Sequence, residues 1–312
     1  MELLGRADVA LYAAKKSGRR QAVVFDEALR KSVGERSRME LSLREAIEGV
    51  GLRLYYQPEV DLRTGRLLAV EALVRWEHPT RGILPASEFI TVAEETGLVV
   101  EMGRWVFAEA CRQLEQWRRS YPELPIVVRV NTSPAQFMIT GLVEHVAECL
   151  RMHNIPGQQM CIEITEHAVL QEPEHTVRIL EEFRALGVGI AIDDFGTGYA
   201  SMTELKRLPA DLLKLDMSFV QGITTDRSDE AIVEAIIRLS RAFEMEVVAE
   251  GIESVLTIDK LLTLGCYRGQ GYLLSEPKPA DELAAMLHAG AVPLSLLRRA
   301  GSPTLQLPET TL

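Results

Sequence analysis

The sequence has few of the features that mark secreted, membrane-spanning or metal-thiolate proteins. Its 312 residues include four cysteines, none of which forms a CxxC pair. We therefore expect reduced, mostly buried thiols in a cytoplasmic chain, with neither a disulfide framework nor a thiolate zinc site. The sequence also lacks any run of about 18 consecutive apolar residues, so it predicts no membrane-spanning helix. The cysteines are Cys111, Cys149, Cys161 and Cys266.

Positive charge is also in short supply. Lysine and arginine total 34 against 45 aspartates and glutamates, which gives a net charge of −11. An acidic surface has no general attraction for long nucleic acids or for anionic membranes, so neither is an expected partner. A small anionic ligand remains compatible with this charge if metal ions or a few local cations supply the attraction.

The two ends of the chain differ in composition from its centre. The first residues alternate apolar and charged groups and predict an amphipathic helix over 2–17, because they lack the apolar core and cleavage site of a signal peptide. A strand is predicted at 22–26 and a helix over 27–50. This opening stretch is too small to bury its own core, so we expect it to belong to something larger. The polar, proline-containing end at 301–312 predicts a flexible tail.

From residue 51 onwards, apolar strand-like runs alternate with helical segments. The first two runs are joined by the turn-forming DLRTG and predict an antiparallel hairpin. Strands that alternate with helices indicate parallel βαβ units, and eight strands in roughly 240 residues favour a (β/α)8 barrel. A doubly wound sheet is the alternative, but no glycine-rich phosphate loop follows the first strand. The predicted strands are 52–58, 67–76, 126–131, 160–165, 188–194, 211–216, 246–252 and 266–272.

Polar side chains recur within or directly after these strands. A barrel brings the carboxyl ends of its strands to one face, so we expect the side chains to converge. A carboxylate in a strand interior costs several kcal/mol unless it is paired or bound to a cation. Five carboxylates with one lysine carry excess negative charge, and oxygen ligands without Cys or His favour Mg²⁺ or Mn²⁺. The residues are Glu71, Asn131, Glu163, Asp193, Asp194, Lys214, Glu250 and Gln270.

Eight short motifs carry a family resemblance, and they occur in the family's order. They are YYQP at 55–58, EALVRW at 71–76, VNTSP at 130–134, EITE at 163–166, DDFGTGYAS at 193–201, LKLD at 213–216, AEGIE at 249–253 and QGY at 270–272. With them, residues 38–290 resemble the EAL family of cyclic di-GMP phosphodiesterases. The resemblance implies a modified (β/α)8 TIM-like barrel with one antiparallel strand, and hydrolysis of cyclic di-GMP to linear pGpG.

The opening stretch carries a second resemblance. Residues 6–26 are similar to the last helix and strand of a GGDEF diguanylate cyclase domain, without that domain's signature loop. The expected organisation is therefore a GGDEF remnant and linker helix at 1–37, the EAL barrel at 38–290 and a tail at 291–312. This implies a longer GGDEF–EAL parent protein and no cyclase activity in this chain.

The EAL resemblance also implies two metal ions and a ligand set for each. Ligands of the first metal would be Glu71, Asn131, Glu163 and Asp193. Ligands of the second would be Asp193, Asp194 and Glu250, so that Asp193 bridges the two ions. The ions expected are Mg²⁺ or Mn²⁺.

Roles for other residues follow from the same resemblance. Lys214 would contact the attacking water, and Gln270 would help to position it. Glu166 would anchor the 194–201 loop, and Glu253 would support the second metal site indirectly. Gln57 and Arg75 resemble substrate contacts. Family members often dimerise, so a homodimer is expected.

Two departures from the family pattern bear on the alternatives. Ala200 stands where serine is usual, and Glu276 stands where lysine is common. Neither is an expected metal ligand. The alternatives are a catalytically silent cyclic di-GMP receptor and a barrel hydrolase for another phosphodiester. Silent members usually lack a metal ligand, whereas every expected ligand is present here, so the sequence favours an active enzyme.

Overall fold

The computed structural model describes residues 10–11, 22, 24–196, 198 and 202–297. The chain divides into two compact units, of which one comprises residues 1–53 and 75–102 and the other residues 54–74 and 103–312. The described strands are β1 (Leu52–Asp61), β2 (Leu67–His78), β3 (Gly82–Pro85), β4 (Val127–Asn131), β5 (Met160–Thr165), β6 (Gly189–Phe195), β7 (Leu212–Leu215), β8 (Glu246–Ala249), β9 (Arg268–Gly269) and β10 (Lys278–Pro279).

The described helices lie mostly between these strands. They are α1 (Glu27–Glu48), α2 (Ile90–Thr96), α3 (Leu98–Ser120), α4 (Pro134–Phe137), α5 (Leu142–Met152), α6 (Glu166–Gln171), α7 (Pro173–Ala185), α8 (Met202–Leu205), α9 (Met217–Gly222), α10 (Arg227–Ala242), α11 (Val255–Leu264) and α12 (Ala284–Ala289). Short 3-10 turns lie at Ala86–Glu88, Gly157–Gln159, Ala280–Leu283 and Leu294–Leu296. None of these helices has the length and apolar character needed to cross a lipid bilayer.

The second unit is a closed eight-stranded barrel. Its strands are hydrogen-bonded in the order β1-β9-β8-β7-β6-β5-β4-β2, and a pairing between β1 and β2 closes the ring. Neighbours from β2 through β4 to β9 run parallel, whereas β1 is antiparallel to β9. The predicted modified (β/α)8 barrel with one antiparallel strand is therefore confirmed.

Alternation along the strands gives the barrel interior two different layers. Side chains two residues apart on a strand point to the same face. An apolar layer forms from one buried residue on each of four parallel strands: Cys161, Ala191, Leu212 and Val248. Two residues further along the chain from each of these come polar side chains, which are Glu163, Asp193 and Lys214 on their strands and Glu250 directly after β8. The same alternation that builds the core therefore delivers charged groups to the carboxyl end of the barrel.

The first unit contains the antiparallel extension of β2. There β3 pairs with the end of β2, with Trp76 opposite Leu84. The Trp76 ring packs edge-on against Phe89 with the ring centroids 5.7 Å apart, and Trp76 is fully buried. This strand pair was not predicted from the sequence, because its second strand is only four residues long.

The predicted strand at 22–26 is wrong for the residues that the structure describes there. Residues 22 and 24–26 have no strand structure, and Asp26 instead caps α1 by accepting a hydrogen bond from the Leu29 backbone N–H at 2.6 Å. Asp at this position satisfies a helix N–H that would otherwise lack a partner. Most of the predicted helix at 2–17 and of the GGDEF-like segment lies outside the described residues, as does 298–312 of the predicted tail.

The other segments agree with the predictions from the sequence, with local differences in the helices. The helices predicted near 134–152 are α4 and α5, and Gly141, with a φ of 91°, precedes the second of them. The helices α6 and α9 were not predicted. All four cysteines are buried free thiols, as expected.

The burial of Leu180 on α7 predicts how much stability is lost when this side chain is shortened. Leu180 of α7 is fully buried, whereas its neighbour Glu181 is exposed. Leu180→Ala should lower the free energy of unfolding by about 2–5 kcal/mol, since it removes buried methyl groups and leaves a cavity. Glu181→Ala should change it by less than about 0.5 kcal/mol. Guanidinium denaturation measures both, and equal losses would contradict the described packing of α7.

Candidate metal centre and active site

The carboxyl ends of the barrel strands bring the predicted polar residues together. Asn131 ends β4 and lies opposite Glu163 on β5. On the next strand pair, Thr165 of β5 lies opposite Asp193 of β6. Two further groups directly follow short strands, Glu250 after β8 and Gln270 after β9. The register of the parallel sheet therefore sets the spacing of these side chains.

Lys214 lies at the centre of the site. It is an inward-facing residue of β7 and is 1% exposed. Its ammonium Nζ lies 2.7 Å from a Glu250 oxygen and 2.8 Å from a Glu163 oxygen. Glu71 and Asp193 follow at 3.2 and 3.3 Å. One buried cation is therefore shared among four carboxylates.

Two side-chain amides connect the carboxylates further. The Asn131 amide donates to Glu71 at 2.7 Å. The Gln270 amide donates to the other Glu71 oxygen at 2.7 Å and to Glu250 at 2.8 Å. Because amide oxygens remain on both side chains, Asn131 and Gln270 can still offer an acceptor or metal ligand to the site.

A local irregularity in β6 allows two successive aspartates to serve one site. In a regular strand, Asp193 and Asp194 would point to opposite faces of the sheet. Here the β6–β7 register shifts between Ile192 and Phe195, and Asp194 has a φ of 53°. This left-handed conformation costs a non-glycine residue about 1–2 kcal/mol. The backbone N–H of Asp194 donates to the Asp193 side chain at 3.0 Å, which holds the turn.

Burial and mutual repulsion shift the titration of the site in its metal-free form. Burial raises the pKa of Glu163 well above its ordinary value, and the charges of Glu71 and Asp193 raise it further against the opposing effect of Lys214. Burial and then the charge of Asp193 raise the pKa of Asp194 to about 6. The pKa of Glu250 rises to about 8, mainly through burial.

Glu71 and Lys214 are held in their charged forms. Burial alone would raise the pKa of Glu71, but the Lys214 charge and three hydrogen bonds hold it below its ordinary value. Burial alone would lower the pKa of Lys214, but the surrounding carboxylates raise it well above its ordinary value. In the metal-free site, the surrounding carboxylates therefore hold Lys214 in its protonated form at neutral pH.

The donor set fits divalent cations. Oxygens of Glu71, Glu163 and Asp193 lie within 4.8 Å of one another, as do oxygens of Asp193, Asp194 and Glu250. Asp193 belongs to both groups. The five carboxylates face one ammonium, and the buried Oε1 atoms of Glu163 and Gln270 have no hydrogen-bond partner. Additional cations would balance the charge and use these free oxygens.

Four other predicted site residues lie in different surroundings. Glu166 is buried and accepts hydrogen bonds from the backbone N–H groups of Gly196 and Gly198, each at 3.2 Å. Glu253 is exposed and accepts a hydrogen bond from Gln221 at 3.2 Å. Glu166 is thus tied to the loop that follows β6, whereas Glu253 is tied to α9.

The two predicted substrate contacts, Gln57 and Arg75, belong to different units of the chain. Gln57 is buried and donates to the backbone oxygen of Ser275 at 3.3 Å. Arg75 lies on the β2 extension opposite Pro85 and belongs to the first unit. Of the two departures from the family pattern, Glu276 is exposed and Ala200 lies outside the described residues.

A buried charge cluster next to the site was not predicted from the sequence. Glu59 is 0% exposed and pairs with Arg129 and Arg268, in each case at 2.7 Å. The sequence could have indicated this cluster, because Arg129 precedes Asn131 by two residues on a strand, and this spacing puts both side chains on the inner face. A charged residue at such a position requires a buried partner.

Comparisons with known proteins agree with this geometry. The family model described as EAL domain matches residues 40–277. An uncharacterized protein of Mycobacterium tuberculosis is 43% identical over 293 residues, which cover 94% of this chain and 47% of the relative. The bifunctional diguanylate cyclase/cyclic di-GMP phosphodiesterase MucR of Pseudomonas aeruginosa is 41% identical over 284 residues, covering 91% and 41%.

A solved structure is similar as well. The structure of the MucR phosphodiesterase in a complex with c-di-GMP has a TM-score of 0.76 and 42% identity, and the match covers 79% of this chain and 99% of that one. The chain spans less than half the length of the curated relatives described above.

The raised pKa values predict that cation binding releases protons. An acid with a raised pKa is partly protonated near neutral pH, and a bound cation requires the carboxylate form. Affinity for Mn²⁺ should therefore rise with pH across the range set by the pKa values of about 6 for Asp194 and about 8 for Glu250. Isothermal titration calorimetry in two buffers of different protonation enthalpy measures the protons released.

Glu250→Gln provides the matched comparison, because it removes one titrating ligand and keeps the shape of the side chain. It should release fewer protons on binding than the parent protein. A pH-independent Mn²⁺ affinity with no proton release would contradict the titration described here.

Proposed function

The chain belongs to the EAL domain family, and from that premise we propose that it hydrolyses cyclic di-GMP to linear pGpG with two divalent cations bound. The observation that carries the proposal is the convergence of all six expected ligands around Lys214 at one end of the barrel. Three buried carboxylates, those of Glu71, Glu163 and Asp193, around a single ammonium have no evident structural use, because apolar packing would stabilise the barrel at lower cost.

The proposed cation sites share one carboxylate. Glu71, Asn131, Glu163 and Asp193 would hold the first ion, and Asp193, Asp194 and Glu250 the second. Hard oxygen donors without Cys or His favour Mg²⁺ or Mn²⁺ over zinc. When bound, such a pair of ions lowers the pKa of a water molecule and neutralises charge on a reacting phosphate.

The chain's own residues would prepare the site in three ways. Lys214 would keep positive charge beside the carboxylates and, as the family resemblance implies, would contact the attacking water. The Gln270 amide, bonded to Glu71 and Glu250, fixes its own Oε1 atom, which is free to accept a hydrogen bond from that water. One water molecule is added across one phosphodiester bond, which opens the ring and gives the linear dinucleotide.

Four further residues would hold the site or the substrate in place. Glu166 would hold the loop after β6, and with it the unusual backbone of Asp194, through its two backbone hydrogen bonds. Glu253 would support the second cation site indirectly, through its hydrogen bond to Gln221 of α9. Gln57 and Arg75 would contact the substrate. The expected homodimer and cytoplasmic location stay predictions from the sequence.

Cyclic di-GMP is favoured as the substrate by the similarity to MucR, a bifunctional diguanylate cyclase/cyclic di-GMP phosphodiesterase whose phosphodiesterase structure contains c-di-GMP. The negative charge of the chain fits a small anionic substrate that is bound through metal ions.

Hydrolysis in the presence of Mg²⁺ or Mn²⁺ tests the proposal. The purified chain should convert cyclic di-GMP to pGpG, and chelation with EDTA should abolish turnover. Glu71→Ala should remove a ligand and Lys214→Ala the central charge, so each should lower kcat at least about 10²-fold. Chromatography of the nucleotides measures the product, and Glu181→Gln on the exposed face of α7 is the control, with unchanged turnover.

Each alternative predicts a different result. Tight binding of cyclic di-GMP by the wild-type chain without turnover would assign it to the silent receptors. Turnover of other phosphodiesters in preference to cyclic di-GMP would assign it a different substrate. Hydrolysis that survives complete removal of metal would exclude the two-metal mechanism.

A further inference from the structure

A row of buried charges continues from the candidate metal centre into the barrel. Arg129 is 4% exposed, and its guanidinium donates to Glu59 at 2.7 Å and to the Cys161 sulfur at 3.1 Å. Glu59 in turn accepts from Arg268 at 2.7 Å. Arg129 is therefore fixed from more than one side, with little freedom to move.

The same guanidinium faces a metal ligand. Arg129 and Asn131 lie on one face of β4, and Cys161 and Glu163 lie on the same face of β5. The Arg129 Nε atom is 3.9 Å from Oε1 of Glu163. The other Glu163 oxygen, Oε2, is bonded to Lys214 at 2.8 Å. The two oxygens of this carboxylate are thus approached by two different cations.

The Oε1 atom of Glu163 is the one that lacks a hydrogen bond. A carboxylate bonded through a single oxygen can still turn about its χ3 torsion, which is broad. A fixed positive charge near Oε1 restricts that rotation by attraction, at a distance that leaves the oxygen available to a metal. Partners of this kind orient metal ligands in many proteins.

We propose that Arg129 is a positioning residue of the metal centre: held by Glu59, it fixes the Glu163 carboxylate in the orientation that binds the first cation. The inference rests on the proposed function only in that the site binds divalent cations. Arg129 touches neither the substrate nor the reacting atoms in this account, and it acts through Glu163.

Arg268 offers a matched control within the same cluster. Both arginines pair with Glu59 at 2.7 Å, and Arg268 also pairs with Glu246, but of the two only Arg129 has a described ion pair with Glu163. If the arginines serve only to neutralise Glu59, then Arg129→Gln and Arg268→Gln should have similar effects on the metal centre. If Arg129 positions Glu163, only its substitution should affect the first cation site.

Mn²⁺ binding to the metal-free chain, followed by electron paramagnetic resonance, separates these cases without any turnover. Arg129→Gln should weaken the first Mn²⁺ site about tenfold and thereby remove the signal of coupled ion pairs, while the second site keeps its affinity. Arg268→Gln should leave both affinities near those of wild type. Arg129→Lys, which keeps the charge, should restore part of the first-site affinity.

Circular dichroism and thermal unfolding of the metal-free variants check the fold. If Arg129→Gln does not fold, the double variant Glu59→Gln/Arg129→Gln removes both members of the ion pair and should show the same selective loss. Equal losses in the Arg129 and Arg268 variants, equal weakening of both sites, or an unchanged first site would each overturn the proposal. A wild-type chain that binds two Mn²⁺ but does not hydrolyse cyclic di-GMP would overturn the proposed function and leave this inference intact.

Discussion

Excess negative charge at the mouth of the barrel is the constraint on which the rest of the site depends. Four carboxylates share the buried ammonium of Lys214, and a fifth, Asp194, lies beside Asp193. Without further cations, part of this charge is removed by protonation, as the raised pKa values of Glu163, Asp194 and Glu250 indicate. The fold therefore holds a site whose fully ionised form needs divalent metal, and the surrounding amides and backbone groups keep its oxygens in place.

The alternation of apolar strand-like runs with helical segments was sufficient to predict the barrel. Eight predicted strands correspond to the eight strands of the closed ring, and the turn at DLRTG identified the hairpin that carries the antiparallel strand. The errors concern short elements, which have too few residues to show a period. At 22–26, for example, an apolar run suggested a strand, but a strand needs a neighbour, and Asp26 caps a helix instead.

The candidate site was also predictable from the strands. A polar side chain inside an apolar strand lowers the stability of the fold unless it is paired or binds a cation, so its presence indicates a functional site. Asn131, Glu163 and Lys214 were found in this way. The buried Glu59–Arg129–Arg268 cluster was not, because pairing between residues 70 or more positions apart depends on strand register and inward direction. The shift in β6 that turns Asp194 towards the site also leaves no pattern in the sequence, because aspartate is compatible with both backbone conformations.

Anomalous diffraction from crystals of the chain grown with Mn²⁺ would test the central claim most directly. Two peaks are expected at the carboxyl end of the barrel, one among Glu71, Asn131, Glu163 and Asp193 and the other among Asp193, Asp194 and Glu250, with Asp193 in contact with both. If crystals grown with saturating Mn²⁺ show no peak at this end of the barrel, Lys214 alone balances the carboxylates. That result would contradict the claim that these residues form a two-cation centre.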